Sequence, residues 1–348
     1  ATYLFSTSYL HYAGVGAVPM AIPNPDLTWQ TTKKFNVGIT SSLFGDRLNI
    51  NADYYRETTD DMLIDVSLPP SSGAGTVKNN YGKQKSYGVE FSVWGRIIQN
   101  RDWMWSVTAT GLHSKSTILN ISDALKRKNE ENAAVNTETT PRLQYREGAS
   151  PTTIWAVRSA GIDPASGKEI FIKQDGSYTY DYDTADQVAC GDKNPKLQGT
   201  ISSMLTYKNL SLNINFSYRF GGNLYNDTRM AKVESIDPQK NVDERAFTDR
   251  WKQPGDVSPY LAIKYNAEST SQSYFYTDRF VEKDNELLLS SVTLQYNVPQ
   301  KVVNNLGLQR LYVSAGAEDL FRLTSAKYER GTTYPFSRSV NLSLSLTL

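Results

Sequence analysis

The stretch Leu197 to Phe220 constrains the fold more than any other part of the chain. Leu197, Ile201, Leu205 and Tyr207 recur at even spacing, with Gln198, Thr200, Ser202 and Thr206 between them. That is the two-residue period of a half-buried β-strand. After the two-residue turn Lys208-Asn209, a second arm presents Leu210, Leu212, Ile214, Phe216, Tyr218 and Phe220 on one face. Ser211, Asn213, Asn215, Ser217 and Arg219 take the other. Each arm is about eleven residues long, the length that crosses a bilayer when tilted by roughly 45°.

The same unit recurs along the chain. Phe35, Val37, Ile39 and Leu43 lead into a turn at Phe44-Gly45-Asp46-Arg47, and Leu48, Ile50, Ala52 and Tyr54 return. Tyr87, Val89, Phe91 and Val93 are followed across Gln99-Asn100 by Trp103, Trp105, Val107 and Ala109. Leu288, Val292, Leu294 and Tyr296 descend to a connector at Pro299 to Leu308, and Leu311, Val313, Ala315 and Ala317 ascend. The last strand sets Val340, Leu342, Leu344, Leu346 and Leu348 against Asn341, Ser343, Ser345 and Thr347.

Loop length separates a soluble sheet from a membrane barrel. Connections at Phe44, Gln99, Lys208 and Pro299 are short, whereas those starting at Asp65 (with Pro69, Pro70, Gly73 and Gly75), Thr117, Gly221 and Arg322 are long, in strict alternation. Outer-membrane barrels carry short periplasmic turns and long extracellular loops, and a sandwich has no reason to sort its loops by end. Rows of Ser, Thr, Asn and Gln would leave unsatisfied groups in a dry core and suit a wet lumen. The apolar rows then face lipid, namely Leu210, Leu212, Ile214 and Phe216 and, in the last strand, Val340, Leu342, Leu344 and Leu346. Aromatics fall at both ends of the strands, where the interfacial girdles belong: Tyr207, Tyr296 and Trp103 at one end, Phe35, Tyr54, Phe220 and Tyr87 at the other. Cross-strand pairing of aromatics is the plainer explanation of the same positions.

Within the long segment Thr117 to Lys196 the sequence predicts a helix around Ser122 to Asn132 and a small hairpin about Asp175-Gly176. The strands count to nine, with Tyr3 to Leu10 as a candidate tenth. Single-chain bacterial barrels have even strand numbers, and hydrocarbon tolerates no open sheet edge. The expectation is therefore an all-β, antiparallel transmembrane β-barrel segment of about nine to ten strands that closes only with another polypeptide segment.

Composition excludes several classes. A mean hydropathy of −0.48 rules out helical membrane spans, yet half-polar barrel strands pass that test. A net charge of +1 offers no basic footprint for nucleic acid. The single cysteine, Cys190, excludes an internal disulfide and is expected as a loop thiol. Ala1 is followed by no signal-peptide pattern, which for an exported protein implies a processed or partial chain.

Short motifs then resemble one family in order along the chain. Asn24-Pro25-Asp26-Leu27-Thr28-Trp29-Gln30, Leu43 to Leu48, and Asp53-Tyr54-Tyr55 resemble a recurrent passage in barrels of the SusC/RagA family of TonB-dependent outer-membrane transporters. Tyr87-Gly88-Val89-Glu90, Ala160 to Gly167, Asp192 to Leu197, Asp278 to Glu282, Val292 to Pro299 and Ala317 to Phe321 resemble further motifs of that family. The resemblance implies residues 1–348 of the C-terminal part of a barrel of about 22 strands. It implies energised import of glycans or peptides in the bacterial cell outer membrane, beneath a SusD-like surface lipoprotein. The remaining barrel, the plug and its TonB coupling would come from outside this chain, as the same or a separate polypeptide. Two departures stand out: the chain ends in Leu348 where members commonly end in an aromatic residue, and the plug with its TonB-contacting segment is missing.

No catalytic constellation is legible. Only His11 and His113 are present, and no nucleotide fingerprint occurs. The reading therefore names no enzyme activity, cofactor, metal or nucleic-acid partner. Asp181, Asp183 and Asp186 invite calcium but break the EF-hand spacing at Ala185. Tyr178, Tyr180, Tyr182, Tyr274 and Tyr276 are the ligand-contact candidates, since exposed rings stack on sugars or clamp peptide side chains. Packing of loop strands is the competing use. Two other function classes stay open: an independent small outer-membrane barrel acting as adhesin or enzyme, and a soluble β-rich glycan-binding protein.

Overall fold

The structure is a computed structural model that describes residues 4–11, 14–67, 76–134, 140–236, 241–263, 274–326 and 337–347. Tyr3, Pro69, Pro70, Gly73, Gly75 and Leu348 lie outside them. In chain order the strands are β1 (Leu4–His11), β2 (Gly14–Ile22), β3 (Thr31–Leu43), β4 (Leu48–Asp60), β5 (Leu63–Ser67) and β6 (Thr76–Asn80). Next come β7 (Gly82–Gln99), β8 (Trp103–Ile121), β9 (Thr153–Ile162), β10 (Glu169–Ile172), β11 (Tyr178–Thr179) and β12 (Gln187–Asp192). The last are β13 (Leu197–Tyr207), β14 (Leu210–Tyr225), β15 (Val281–Asn297), β16 (Arg310–Thr324) and β17 (Ser339–Thr347).

Nine of these strands form one wall in the order β3-β4-β7-β8-β13-β14-β15-β16-β17, every neighbouring pair antiparallel. Chain order and sheet order coincide, so the wall is a meander. Among the described residues its edges, β3 and β17, pair with no further strand.

Register makes one face apolar from edge to edge. A single row runs Ile39, Ala52, Phe91, Gly111, Gly199, Tyr218, Leu287 and Leu323, each directly opposite the next. The adjacent row on the other face runs Gly38, Asp53, Glu90, Leu112, Gln198, Arg219, Glu286 and Thr324. Leu210, Leu212, Ile214 and Phe216 lie on the apolar face, as do Val340, Leu342, Leu344 and Leu346, and Val340 is 79% exposed. At the short-turn end Trp103 packs on Tyr207 with ring centres 4.4 Å apart, in the row that contains Tyr296. Tight turns close this end; Lys208 takes φ +52°, and Phe44, Gly45 and Asp46 are all left-handed.

A bulge corrects one expected face. Ser290 is an extra residue of β15, because Asn215 pairs with Ser291 while Phe216 pairs with Leu289. Asp319 and Leu320 absorb the offset on β16, with Asp319 at φ +54°. Leu288 therefore lies with Ser217 and Arg322 on the polar face, and Leu287 and Leu289 take the apolar one. Simple alternation from Val292 assigns Leu288 to the wrong side.

The long connections fold into a cap. β1 joins β2, β6 and β5 in a separate sheet, so the Tyr3 to Leu10 segment is not a tenth wall strand. β11, β10, β9 and β12 form another sheet, with the expected hairpin at Gly176 (φ +87°). The expected helix is α1 (Asp123–Ala134), and its Leu125 is buried with Tyr81 and Ile118. Cys190 lies on β12, not in a loop. The short connector after Pro299 carries a helical turn, Gln300–Asn305. The main core of the cap consists of Ala156, Tyr225, Met230, Val233, Tyr260, Tyr276 and Phe280. Removing a fully buried ring such as Phe280 costs about 3–5 kcal/mol.

Candidate functional site

The polar face of the wall is concave. It lines a cavity of about 650 Å³ whose walls include Asp53, Glu90, Thr110, Thr200, Arg219 and Glu286. Short hydroxyl and amide side chains ladder across it. Thr110 lies 2.8 Å from Thr200, Ser202 donates to Asn215 at 2.5 Å, and Asn215 donates to Ser291 at 2.9 Å. These groups satisfy one another along the sheet and leave the centre open. Near the long-loop end Arg219 meets Asp284 at 2.9 Å and Glu286 at 3.3 Å, and Arg322 meets Glu286 at 2.6 Å. Two cations held by two carboxylates fix this part of the surface against three strands.

Aromatic side chains dominate the cap, and they divide into two groups. Tyr178 is 71% exposed and Tyr180 53% exposed, side by side at the edge of the β9–β12 sheet. With Ala160, Ile170 and Thr179 they line a recess of about 270 Å³. The Tyr180 hydroxyl donates to Asp163 Oδ2 at 2.9 Å and the Lys168 ammonium lies 5.7 Å from its ring centre, so that ring is held in place. Donors from Ser166, the Ala165 N–H and Tyr180 hold the Asp163 carboxyl below its ordinary range.

The other three candidates pack. Tyr182 stacks on Phe275 at 4.3 Å with planes 9° apart, and its hydroxyl donates to the Tyr276 carbonyl at 3.4 Å. Tyr276 is 1% exposed and accepts from Gln187 Nε2 at 2.5 Å. Tyr274 is half-buried against the main core. Buried rings offer no face to a ligand, so the exposed candidates reduce to Tyr178 and Tyr180. Asp183 accepts from the Ala185 N–H at 2.8 Å and Asp186 from the Gln174 N–H at 3.0 Å. Their oxygens shape the hairpin, and among the described residues no group of three metal-ligating side chains converges.

A buried ion cluster at the centre of the cap is absent from the candidates read in the sequence. Arg279 joins Glu169 to Glu234, residues 65 positions apart in the chain. The only trace was Arg279 itself, within a motif shared with the resembling family.

Comparisons with known proteins agree with this geometry. Residues 2–233 match the family described as "TonB dependent receptor-like, beta-barrel". Two TonB-dependent receptors of Formosa agariphila are 22% identical over 360 residues and 27% identical over 318 residues, covering 92% and 86% of this chain. The TonB-dependent receptor SusC of Bacteroides thetaiotaomicron is 26% identical over 283 residues, 79% of this chain. The solved RagAB peptide transporter superposes over the whole chain with a TM-score of 0.78 at 23% identity, and its "open-open" state with 0.75. The aligned part is 34%, 30% and 26% of those three receptors and 38% of the transporter chain, so this chain spans about a third of their length.

Proposed function

Since the chain belongs to the TonB-dependent receptor-like β-barrel family, we propose that it is the C-terminal wall and outer-loop part of a SusC/RagA-like outer-membrane importer. The carrying observation is the nine-stranded meander itself. It has one apolar face, one polar concave face, and two edges that pair with no further described strand. Hydrocarbon tolerates neither polar rows nor open edges. The apolar face therefore meets outer-membrane lipid, and β3 and β17 join further strands of a larger barrel.

The cap stands at the long-loop, extracellular end, where it meets cargo and a SusD-like surface lipoprotein. A plug outside residues 1–348 supplies the TonB coupling. The cargo is a glycan or a peptide. The name of the solved RagAB transporter supports the peptide class, and the exposed pair Tyr178 and Tyr180 suits either. The reading includes no catalytic step.

The test is purification of the full-length protein from native membranes in mild detergent. The expected result is an outer-membrane complex containing a surface lipoprotein, with cysteines placed on β3 and β17 cross-linking to other barrel strands. Residues 1–348 closing alone into a heat-resistant barrel would defeat the reading.

A further inference from the structure

At the long-loop end, two excursions distant in sequence meet on one guanidinium. Arg279 is the middle residue of the turn Asp278–Phe280, and its Nε and Nη2 reach the two Glu169 oxygens of β10 at 2.6 and 2.8 Å. The same Nη2 reaches Glu234 Oε1 at 2.9 Å, at the end of the helical turn Met230–Glu234. Nη1 donates to the Pro259 carbonyl at 2.6 Å. One cation thus ties the β9–β12 sheet to the segment that follows β14. The Glu234 side chain is 0% exposed, and its second oxygen, Oε2, is buried with no hydrogen-bond partner among the described residues.

The nearby charges leave Glu234 the weakest member. Glu169 holds both its oxygens against Arg279 and also accepts from the Thr277 hydroxyl at 2.8 Å. Arg250 faces Glu234 but gives N–H groups to the carbonyls of Val233, Glu234, Ala246 and Leu261. Arg229 is occupied by Glu282 at 2.6 Å, and Asp278 accepts from the Ser159 N–H at 2.9 Å. The phenols of Tyr225, Tyr260 and Tyr274 also face the cluster.

We propose that Glu234 is a proton-operated latch: protonated, it lets residues 229–236 and 241–262 rest on the β9–β12 sheet, and ionised, it loosens them. Glu169 and Glu234 share the Arg279 guanidinium while Arg250 gives its N–H groups to carbonyls, so Glu234 Oε2 stays in a dry site without a donor among the described residues, a cost that a proton relieves. Burial pushes the Glu234 carboxyl above its ordinary range, against the opposing pull of Arg279 and Arg250. A raised carboxyl gives stability that is full below the ordinary value and is lost as pH rises through the raised one. The closed cap is therefore favoured in mild acid. The latch needs only contacts within the cap and stands whatever the barrel carries.

Hydrogen exchange on the full-length protein in native outer-membrane vesicles tests it. Protection of residues 229–236 and 241–262, corrected for the intrinsic rate, is expected to fall about tenfold for each pH unit across the titration, measured between about pH 5 and pH 8. Glu234→Gln should keep the acid-state protection at both ends. Asp278, also raised by burial, titrates in the same direction, so Asp278→Asn should leave the pH dependence in place. Flat wild-type protection, or a fall abolished by Asp278→Asn and kept in Glu234→Gln, would overturn the proposal. If Glu234→Gln fails to assemble, the wild-type profile and Asp278→Asn decide: a fall that survives Asp278→Asn supports the latch, while a flat profile or a fall lost with Asp278 overturns it.

Discussion

The Tyr218 hydroxyl donates to the Thr110 carbonyl at 2.7 Å, crossing β13 at Gly199 to join β14 directly to β8. A Cβ at Gly199 would lie 2.0 Å from that carbonyl oxygen and 2.8 Å from the phenol. Gly199→Ala is therefore expected to cost about 1–3 kcal/mol by overpacking, and Tyr218→Phe about 1 kcal/mol by loss of the bond. Heat-modifiability of the assembled barrel on a gel reads both, and wild-type behaviour of Gly199→Ala would show that the strands pack differently.

Asn213 and Ile214 are neighbours on opposite faces of β14, Ile214 opposite Val292 and Asn213 opposite Thr293. Ile214→Arg should cost on the order of 2–4 kcal/mol on the lipid side, whereas Asn213→Arg should cost well under about 1 kcal/mol in the lumen. Assembly yield in outer-membrane fractions distinguishes them. Equal yields would show that the two faces do not divide between lipid and lumen, and a lower yield for Asn213→Arg would reverse them.

The exposed and buried tyrosines predict opposite phenotypes. Tyr178→Ala with Tyr180→Ala should weaken cargo binding by about tenfold while leaving thermal stability near wild type, since aromatic contacts contribute about 1 kcal/mol. Tyr276→Phe should cost about 1–3 kcal/mol of cap stability, because Gln187 loses a buried partner, with cargo affinity unchanged. Calorimetry alongside binding to outer-membrane vesicles would separate the two effects.

Cys190 should label slowly. Desolvation on β12 pushes its thiol up to about 11 from 9.0, which lowers the thiolate fraction at neutral pH about a hundredfold. Alkylation at about pH 8 is expected to lag an exposed cysteine by that factor. Labelling at the exposed rate would show that β12 is not packed as described.

The wall was legible because its two chemistries alternate residue by residue. Among the described residues eight of the nine wall strands keep their expected apolar set, Leu348 lying outside them; in β15 the set breaks at Leu288, where a one-residue insertion has no compositional mark. The cap was less legible. Its sheet is held by contacts such as Arg279 to Glu169, 110 residues apart, and spacing within a segment carries no trace of such pairs. The tyrosines illustrate the same limit: Tyr178 and Tyr276 are chemically equal in sequence, and only tertiary packing makes one a surface and the other a core.

Ser290 has a consequence for anyone recombining these barrels. Excising it would restore plain alternation and keep Leu287 and Leu289 outward and Glu286 beside Arg219 and Arg322, but it would leave Asp319 and Leu320 of β16 bulged against a strand with no matching offset. Because Asp319 and Leu320 match the insertion on the next strand, β15 and β16 are one heritable unit. A chimaera with its junction between them would inherit one side of a matched bulge.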